Sequence, residues 1–333
     1  MKSMKNNTNY FWFGKQIVLD SADKKFSQQF FDRLQGYEQG HSEHLLSGVL
    51  KVLFSRDAVE SPNESSIKFG NALSFHNSAG LVIHEYLSTK TSIKFSFTDQ
   101  DVVAVSISYK SGLIFSMVNL ILGRLLERQL FSTLIQDYVE KVLLFIAHKK
   151  AAVEILHAAS VEKDGRVLVF AGLNGSGKST AAQYFVRNLH WKLYSDNYLL
   201  LKGNQAYYGP EISRLSKRSI AILSAVQTQM GKNNFGKVLF SSPEESKSKK
   251  LRGTVDNIVI LTQGPVFKHT KISQDTAQKI MTTLLAIDSE TIKQHPLSLF
   301  FHMHTNTLID LPESIAYHLV QFSHPRELQG IMT

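Results

Sequence analysis

One stretch constrains this chain more than any other: "RVLVFAGLNGSGKSTAAQYFVRNL", Arg166 to Leu189. A short apolar run, Arg166 to Ala171, breaks into a loop rich in glycine and serine, and an amphipathic helical pattern leaves the loop from Ser179. Gly172, Gly177, Lys178 and Ser179 fit G-x-x-x-x-G-K-[ST] in the strand–loop–helix context that the motif requires. From Ile155 onward strand-like and helix-like segments alternate, as in an α/β domain.

Glycines let such a loop fold round an anion so that several backbone N–H groups point inward, and the dipole of the following helix adds to the attraction. The residues Gly172, Asn174, Gly175, Ser176, Gly177, Lys178, Ser179 and Thr180 therefore read as a cradle for the phosphates of ATP. Lys178 would reach the β- and γ-phosphates, and the Ser179 hydroxyl would ligate Mg²⁺.

Upstream, "EILHAASVEKDGRVLVFAG" sets two apolar runs about an Asp-Gly pair, a hairpin signal. With Asp164-Gly165 as a two-residue turn, His157 faces Gly172; with a four-residue loop, it faces Phe170. Both registers bring His157 to the mouth of the phosphate loop. A core histidine satisfied by a neighbour is the alternative. Downstream, the helix should end near Asn188, and "WKLYSDNYLLLKG" follows as a strand-like run. Asp196 and Asn197 are either turn residues between two short strands or, for Asp196, an acid placed to meet Mg²⁺ or an attacking hydroxyl.

The first 110 residues are rich in alternating or β-branched runs: Lys15 to Ser21, Ser66 to Asn77, Gly80 to Leu87, Ser92 to Phe97 and Val102 to Lys110. Gly112 to Lys150 carries apolar residues at helical spacing, which predicts two helices. The expected organisation is a β-rich α+β domain over 1–110, a helical connector over 111–150 packed on the following domain, and an α/β nucleotide-binding domain over 151–333.

The chain has no cysteine, which excludes disulfides and thiolate metal sites. Its start, "MKSMKNNTNY", lacks the apolar core of a signal peptide. The most apolar run, Leu113 to Phe131, is interrupted by Asn119, Arg124, Glu127 and Arg128, so a buried helix is expected rather than a membrane span. These features predict a cytoplasmic protein. The net charge of +9 (37 basic minus 28 acidic residues) is scattered. Its densest run, Glu245 to Gly253, reads as a solvated loop, so the charge suits an acidic or phosphorylated substrate better than nucleic acid.

With "LHAASVEKDGRVLVFAGLNGSGKST" followed by "YSDN", the chain resembles the catalytic domain of the HPr kinase/phosphorylase family, which shares its nucleotide-binding core with phosphoenolpyruvate carboxykinase. The resemblance covers about Ile155 to Gly209. Beyond it, Gly253 to Leu261 and Ala316 to Ser323 look like core strands, and residues 1–110 carry no resemblance that implies function. The resemblance implies a kinase fold and a His157–Asp196 pair that takes the proton from an incoming serine hydroxyl. It implies that Lys178 and Mg²⁺ offset charge on the transferring group. Asn197 stands where the family pattern has a second acid that helps hold the metal. Asn offers a neutral carbonyl oxygen in place of a carboxylate, and Glu211 is a candidate substitute. Arg214, Lys217 and Arg218 close by read as solvated surface or as contacts to phosphate.

The expected function is an ATP- and Mg²⁺-dependent serine kinase acting on a protein or peptide, such as the precursor of a ribosomal natural product, or on free serine. The β-rich domain would position the acceptor, and the resemblance allows a homo-oligomer. Two alternatives stand beside it: a nucleotide-binding regulatory or scaffold protein weakened by Asn197, and a carboxykinase-like enzyme, for which the further metal and substrate ligands are not evident. His302 with His304, and His41 with His44, have spacings that could serve a metal, but no third ligand accompanies either pair.

Overall fold

A computed structural model describes residues 10–34, 46–56, 66–69, 72–75, 81–86, 89–98, 101–207, 213–215, 229–232, 238–240, 252–293 and 311–331. The chain divides into two compact units, Met1–Ala152 with Thr291–Met303, and Val153–Glu290 with His304–Thr333.

The first unit is built on a mixed sheet. Its described strands are β1 (Tyr10–Trp12), β2 (Lys15–Ser21), β3 (Val49–Ser55), β4 (Ser66–Phe69), β5 (Ala72–Phe75), β6 (Leu81–Tyr86), β7 (Thr89–Thr98) and β8 (Asp101–Lys110). They lie in the order β1-β2-β3-β8-β7-β6-β5-β4. The run Ser66 to Asn77, expected as one strand, contains two, β4 and β5, paired antiparallel. A helix the sequence reading did not anticipate, α1 (Lys24–Leu34), lies between the parallel strands β2 and β3. It starts where it does because Asp23 caps it: Asp23 Oδ1 accepts from the backbone N–H groups of Lys25 and Phe26 at 2.9 and 2.8 Å.

The expected pair of helices after residue 112 is three α-helices: α2 (Leu113–Ile121), α3 (Leu125–Ile135) and α4 (Lys141–Ala151), the last two joined through a π-helical turn, Gln136–Glu140. The break after α2 falls at Gly123 and Arg124, both in the left-handed region with φ of 59° and 64°. These helices were expected on the following domain; they pack on the first unit's own sheet instead. The ring of Phe131 on α3 meets those of Phe26, Phe54 and Tyr109 at centroid separations of 5.4, 5.2 and 5.5 Å. Buried Glu127 accepts from Lys25 and Arg56 at 3.0 and 2.9 Å. Phe54 of β3 and Tyr109 of β8 supply the aromatic face that α3 covers, and Met1–Ala152 accordingly falls in one unit, against an expected boundary near residue 110.

The second unit comprises β9 (Glu154–Lys163), β10 (Arg166–Ala171), α5 (Lys178–Asn188), β11 (Lys192–Lys202), β12 (Gln205–Tyr207), β13 (Ser213–Leu215), β14 (Gln229–Lys232), β15 (Val238–Phe240), β16 (Arg252–Gln263), β17 (Lys268–Ile272), α6 (Gln274–Lys293) and β18 (Ala316–Phe322). Seven of its strands form the main sheet, and β13, β15 and β14 a small one. In the main sheet β10 pairs antiparallel with β9 and parallel with β16, and β16 is parallel to β18. The expected core strands at Gly253 to Leu261 and Ala316 to Ser323 are β16 and β18.

The sheet is apolar on both faces, as a strand order with parallel members at its centre demands. One face buries Val169, Ile258, Ile260 and Tyr317 with Ala277 and Met281 of α6. The other buries Phe170, Val259, Leu261 and Phe322 with Ala181, Ala182 and Phe185 of α5. This second face carries the phosphate-loop motif at its edge. No described helix is long and apolar enough to cross a membrane.

Candidate functional site

The loop between β10 and α5 takes the path its glycines permit. Gly172, Gly175 and Gly177 all have positive φ, at 144°, 84° and 100°. Gly177 is the left-handed N-cap of α5, and its carbonyl accepts from Ala181 N–H at 2.8 Å. Two of the glycines are also required by space. A Cβ on Gly172 would stand 2.6 Å from the Leu261 carbonyl oxygen, and one on Gly177 would stand 2.8 Å from Cζ of Phe322. The ends of β16 and β18 thus press on the loop from behind and hold its open side toward solvent, where Asn174 and Gly175 are exposed.

Lys178 opens α5, buried, with Nζ donating to the carbonyls of Gly172 and Leu173 at 2.8 and 3.1 Å. The ammonium is thus folded across the rim of its own loop. Ser179 is half-buried in the first turn, beside buried Thr180. The Ser176 hydroxyl is buried and has no hydrogen-bond partner among the described residues. A loop with left-handed glycines, a helix N-terminus, a buried cation and an unsatisfied hydroxyl fits a string of phosphate oxygens. Among the described residues no three or more His, Asp and Glu side chains cluster. A Mg²⁺ ion brought in with phosphates needs few protein ligands, because phosphate and water oxygens fill most of its shell. The Ser179 hydroxyl fits that role.

The hairpin settles the open question of register. Asp164 and Gly165 have φ of 56° and 89°, and Lys163 faces Arg166, so the turn has two residues. Ala158 faces Ala171 in the last pair of the ladder, and His157 and Gly172 are the next residues beyond that pair, so His157 lies at the end of β9 where the loop begins. On the other side of β9 runs β11, one continuous strand through Ser195, Asp196 and Asn197, where the sequence left a turn open. Its irregularities absorb the turn-forming residues. There is a bulge between Leu193 and Ser195, φ is 155° at Asn197, and the Ser195 hydroxyl donates to the Tyr198 carbonyl.

Register then sorts the side chains between the two faces. Asp196 faces Ala159 and Tyr198 faces His157, and Ala159 belongs to the core beneath α5. His157 and buried Asp196 are therefore on neighbouring strands, on the sheet face that bears the loop and its helix. The rings of His157 and Tyr198 are 6.0 Å apart. Asn197 faces Ala158, whose side chain lies in the opposite core, so its register position is on the other face. Glu211, Lys217, Arg218, His41, His44, His302 and His304 lie outside the described residues, and Arg214 falls in β13.

Sequence reasoning missed Gln263 and Phe322. Gln263, the last residue of β16, donates through Nε2 to the Gly175 carbonyl at 3.0 Å. A signal for both existed: β16 and β18 read as core strands, and residues at the carboxyl ends of parallel strands border the ligand crevice of such sheets.

No family model matches the chain, and no curated protein matches it. Among solved structures, the Hpr(Ser) kinase/phosphatase from Coxiella burnetii is similar over 54% of this chain and 92% of that chain, at 12% identity and a TM-score of 0.25.

Proposed function

We propose that the chain is an ATP-dependent phosphotransferase that moves the γ-phosphate to a hydroxyl, with a serine of a protein or peptide, or free serine, as acceptor. The observation that carries this reading is the register that ends the β9–β10 ladder at Ala158 and Ala171, one residue short of His157 and of the loop, while Asp196 shares the face of His157 on the next strand. In it, the loop from Gly172 to Thr180 holds the phosphates, and Lys178 exchanges its two backbone carbonyls for phosphate oxygens. Ser179 holds Mg²⁺, which when bound neutralises phosphate charge. His157, oriented by Asp196, takes the proton from the acceptor hydroxyl. The acceptor oxygen bonds to the γ-phosphorus as the β–γ bridging bond breaks, leaving ADP and a phosphate ester.

The test is phosphate transfer from ATP with Mg²⁺ to serine-bearing peptides and to free serine, read by mass spectrometry. His157→Ala should lower turnover by about 10²–10⁴-fold, the usual contribution of a positioned base, with ATP binding retained. Lys178→Ala should remove both. Transfer undiminished in His157→Ala would overturn the assignment.

One observation favours a second reading, an ATP-binding regulator with weakened catalysis: the position of the second acid holds Asn197, on the opposite face from His157. The kinase reading expects Asn197→Asp to leave turnover unchanged. A tenfold or greater gain would mark a degenerate enzyme.

A further inference from the structure

We propose that Val266 and Phe267, together with Leu173, form an apolar subsite for the base of the nucleotide. This rests on the nucleotide reading above and adds to it the side of the loop on which the nucleoside lies.

Among the described residues of the second unit, the large apolar side chains left exposed are Leu173, Val266 and Phe267, at 47%, 58% and 37%. Isolated exposed apolar residues are ordinary. These three, however, fall in the loops at the carboxyl ends of β10 and β16, which are parallel neighbours with Ala171 beside Ile260. That is where open α/β sheets take their ligands.

The segment bearing Val266 and Phe267 is fastened to the phosphate loop. Gln263 donates to the Gly175 carbonyl at 3.0 Å. Gly264 N–H donates to the Phe322 carbonyl at 3.1 Å, and the Phe322 ring backs Gly177. Gln321 Nε2 donates to the Val266 carbonyl at 3.2 Å. These bonds tie the backbone from Gln263 to Val266 to the phosphate loop and to β18 before any ligand arrives.

Strand order separates base from acceptor. His157 and Asp196 come from β9 and β11, on one flank of β10, whereas β16 lies on the other. In-line transfer requires the acceptor oxygen and the leaving ADP on opposite sides of the γ-phosphorus. With the acceptor on the β9 flank, the nucleoside extends toward β16. A purine or pyrimidine ring has two flat, weakly hydrated faces, and a phenyl ring with aliphatic neighbours matches them.

The experiment compares ATP with inorganic tripolyphosphate by calorimetry on the full chain with Mg²⁺, in wild type, Phe267→Ala, Val266→Ser and Lys178→Ala. Wild type should bind ATP at least tenfold more tightly than tripolyphosphate. Phe267→Ala should weaken ATP by about tenfold, as loss of one base–aromatic stack does, and leave tripolyphosphate within twofold; Val266→Ser should act the same way more weakly. Lys178→Ala should weaken both ligands. Equal affinity of wild type for the two ligands, or an equal loss of both in Phe267→Ala, would overturn the subsite. Failure of wild type to bind either ligand would instead overturn the nucleotide reading beneath it. Thermal melts of each variant separate loss of the subsite from loss of fold.

Discussion

At the scale of single residues, the three glycines of the loop look alike in the sequence and differ in the structure. Gly177 is held by its φ of 100° and by the ring of Phe322, whereas a Cβ on Gly175, at φ of 84°, meets nothing within 4 Å. Gly175→Ala should therefore cost only the left-handed penalty, about 1–2 kcal/mol. Gly177→Ala adds overpacking against Phe322, for a total of about 2–5 kcal/mol. Urea unfolding of both variants checks this, and equal losses would remove the ring from the argument. The motif made Gly172, Gly177, Lys178 and Ser179 legible, because its chemistry is local. It could not show that β16 and β18 shape the loop, since Leu261, Gln263 and Phe322 reach it only through parallel pairing of strands distant in sequence.

At the scale of elements, legibility followed how locally each element is determined. The β9–β10 hairpin could be read to within one register choice because Asp-Gly dictates the turn. Strand β11 was ambiguous because Ser195, Asp196 and Asn197 are turn residues by propensity, and only pairing with β9 along the whole run keeps them extended. The edge of the same sheet contains a histidine pair the sequence did not announce. His318, buried on β18, has its Nδ1 2.9 Å from Nε2 of His269 on β17 and its Nε2 3.0 Å from Oδ1 of Asn257 on β16. The neutral Nε2–H tautomer of His318 satisfies both contacts, donating to Asn257 and accepting from His269. Burial, then the nearby His269 and Lys271, push the His318 pKa below its usual value. The unfolded chain therefore takes up the proton first. The contribution to stability is intact above about pH 6.5, the ordinary histidine value, and is lost as pH falls below it. Melting temperature should drop between pH 7 and 5 in wild type and drop less in His318→Gln. An unchanged slope in that variant would assign the loss to other groups.

At the scale of the whole molecule, the break at Ala152/Val153, with Thr291–Met303 returning to the first unit, decides how the two units can be tested. Composition marked the change from β-rich to α/β character but not the partner of the helices between, because an apolar helical stripe does not say which sheet it covers. A deletion of residues 1–110 would strip α2–α4 of the sheet on which Phe115 and Phe131 are buried, at about 1.5–3 kcal/mol for each phenyl ring exposed. That truncation should aggregate and say nothing about function. Cutting at Val153 leaves the sheet, both of its cores and the phosphate loop together, and carries Thr291–Met303 of the first unit with them. The fragment from Val153 to Thr333 should be soluble, unfold cooperatively and bind ATP within about threefold of the full chain, since a factor of three is under 1 kcal/mol. If the first unit positions the acceptor, the fragment should still hydrolyse ATP slowly while transfer to a peptide falls with a raised KM for the peptide and an unchanged KM for ATP. Equal peptide kinetics in fragment and full chain would exclude the first unit from acceptor recognition and leave that task to the β9–β11 flank of the second.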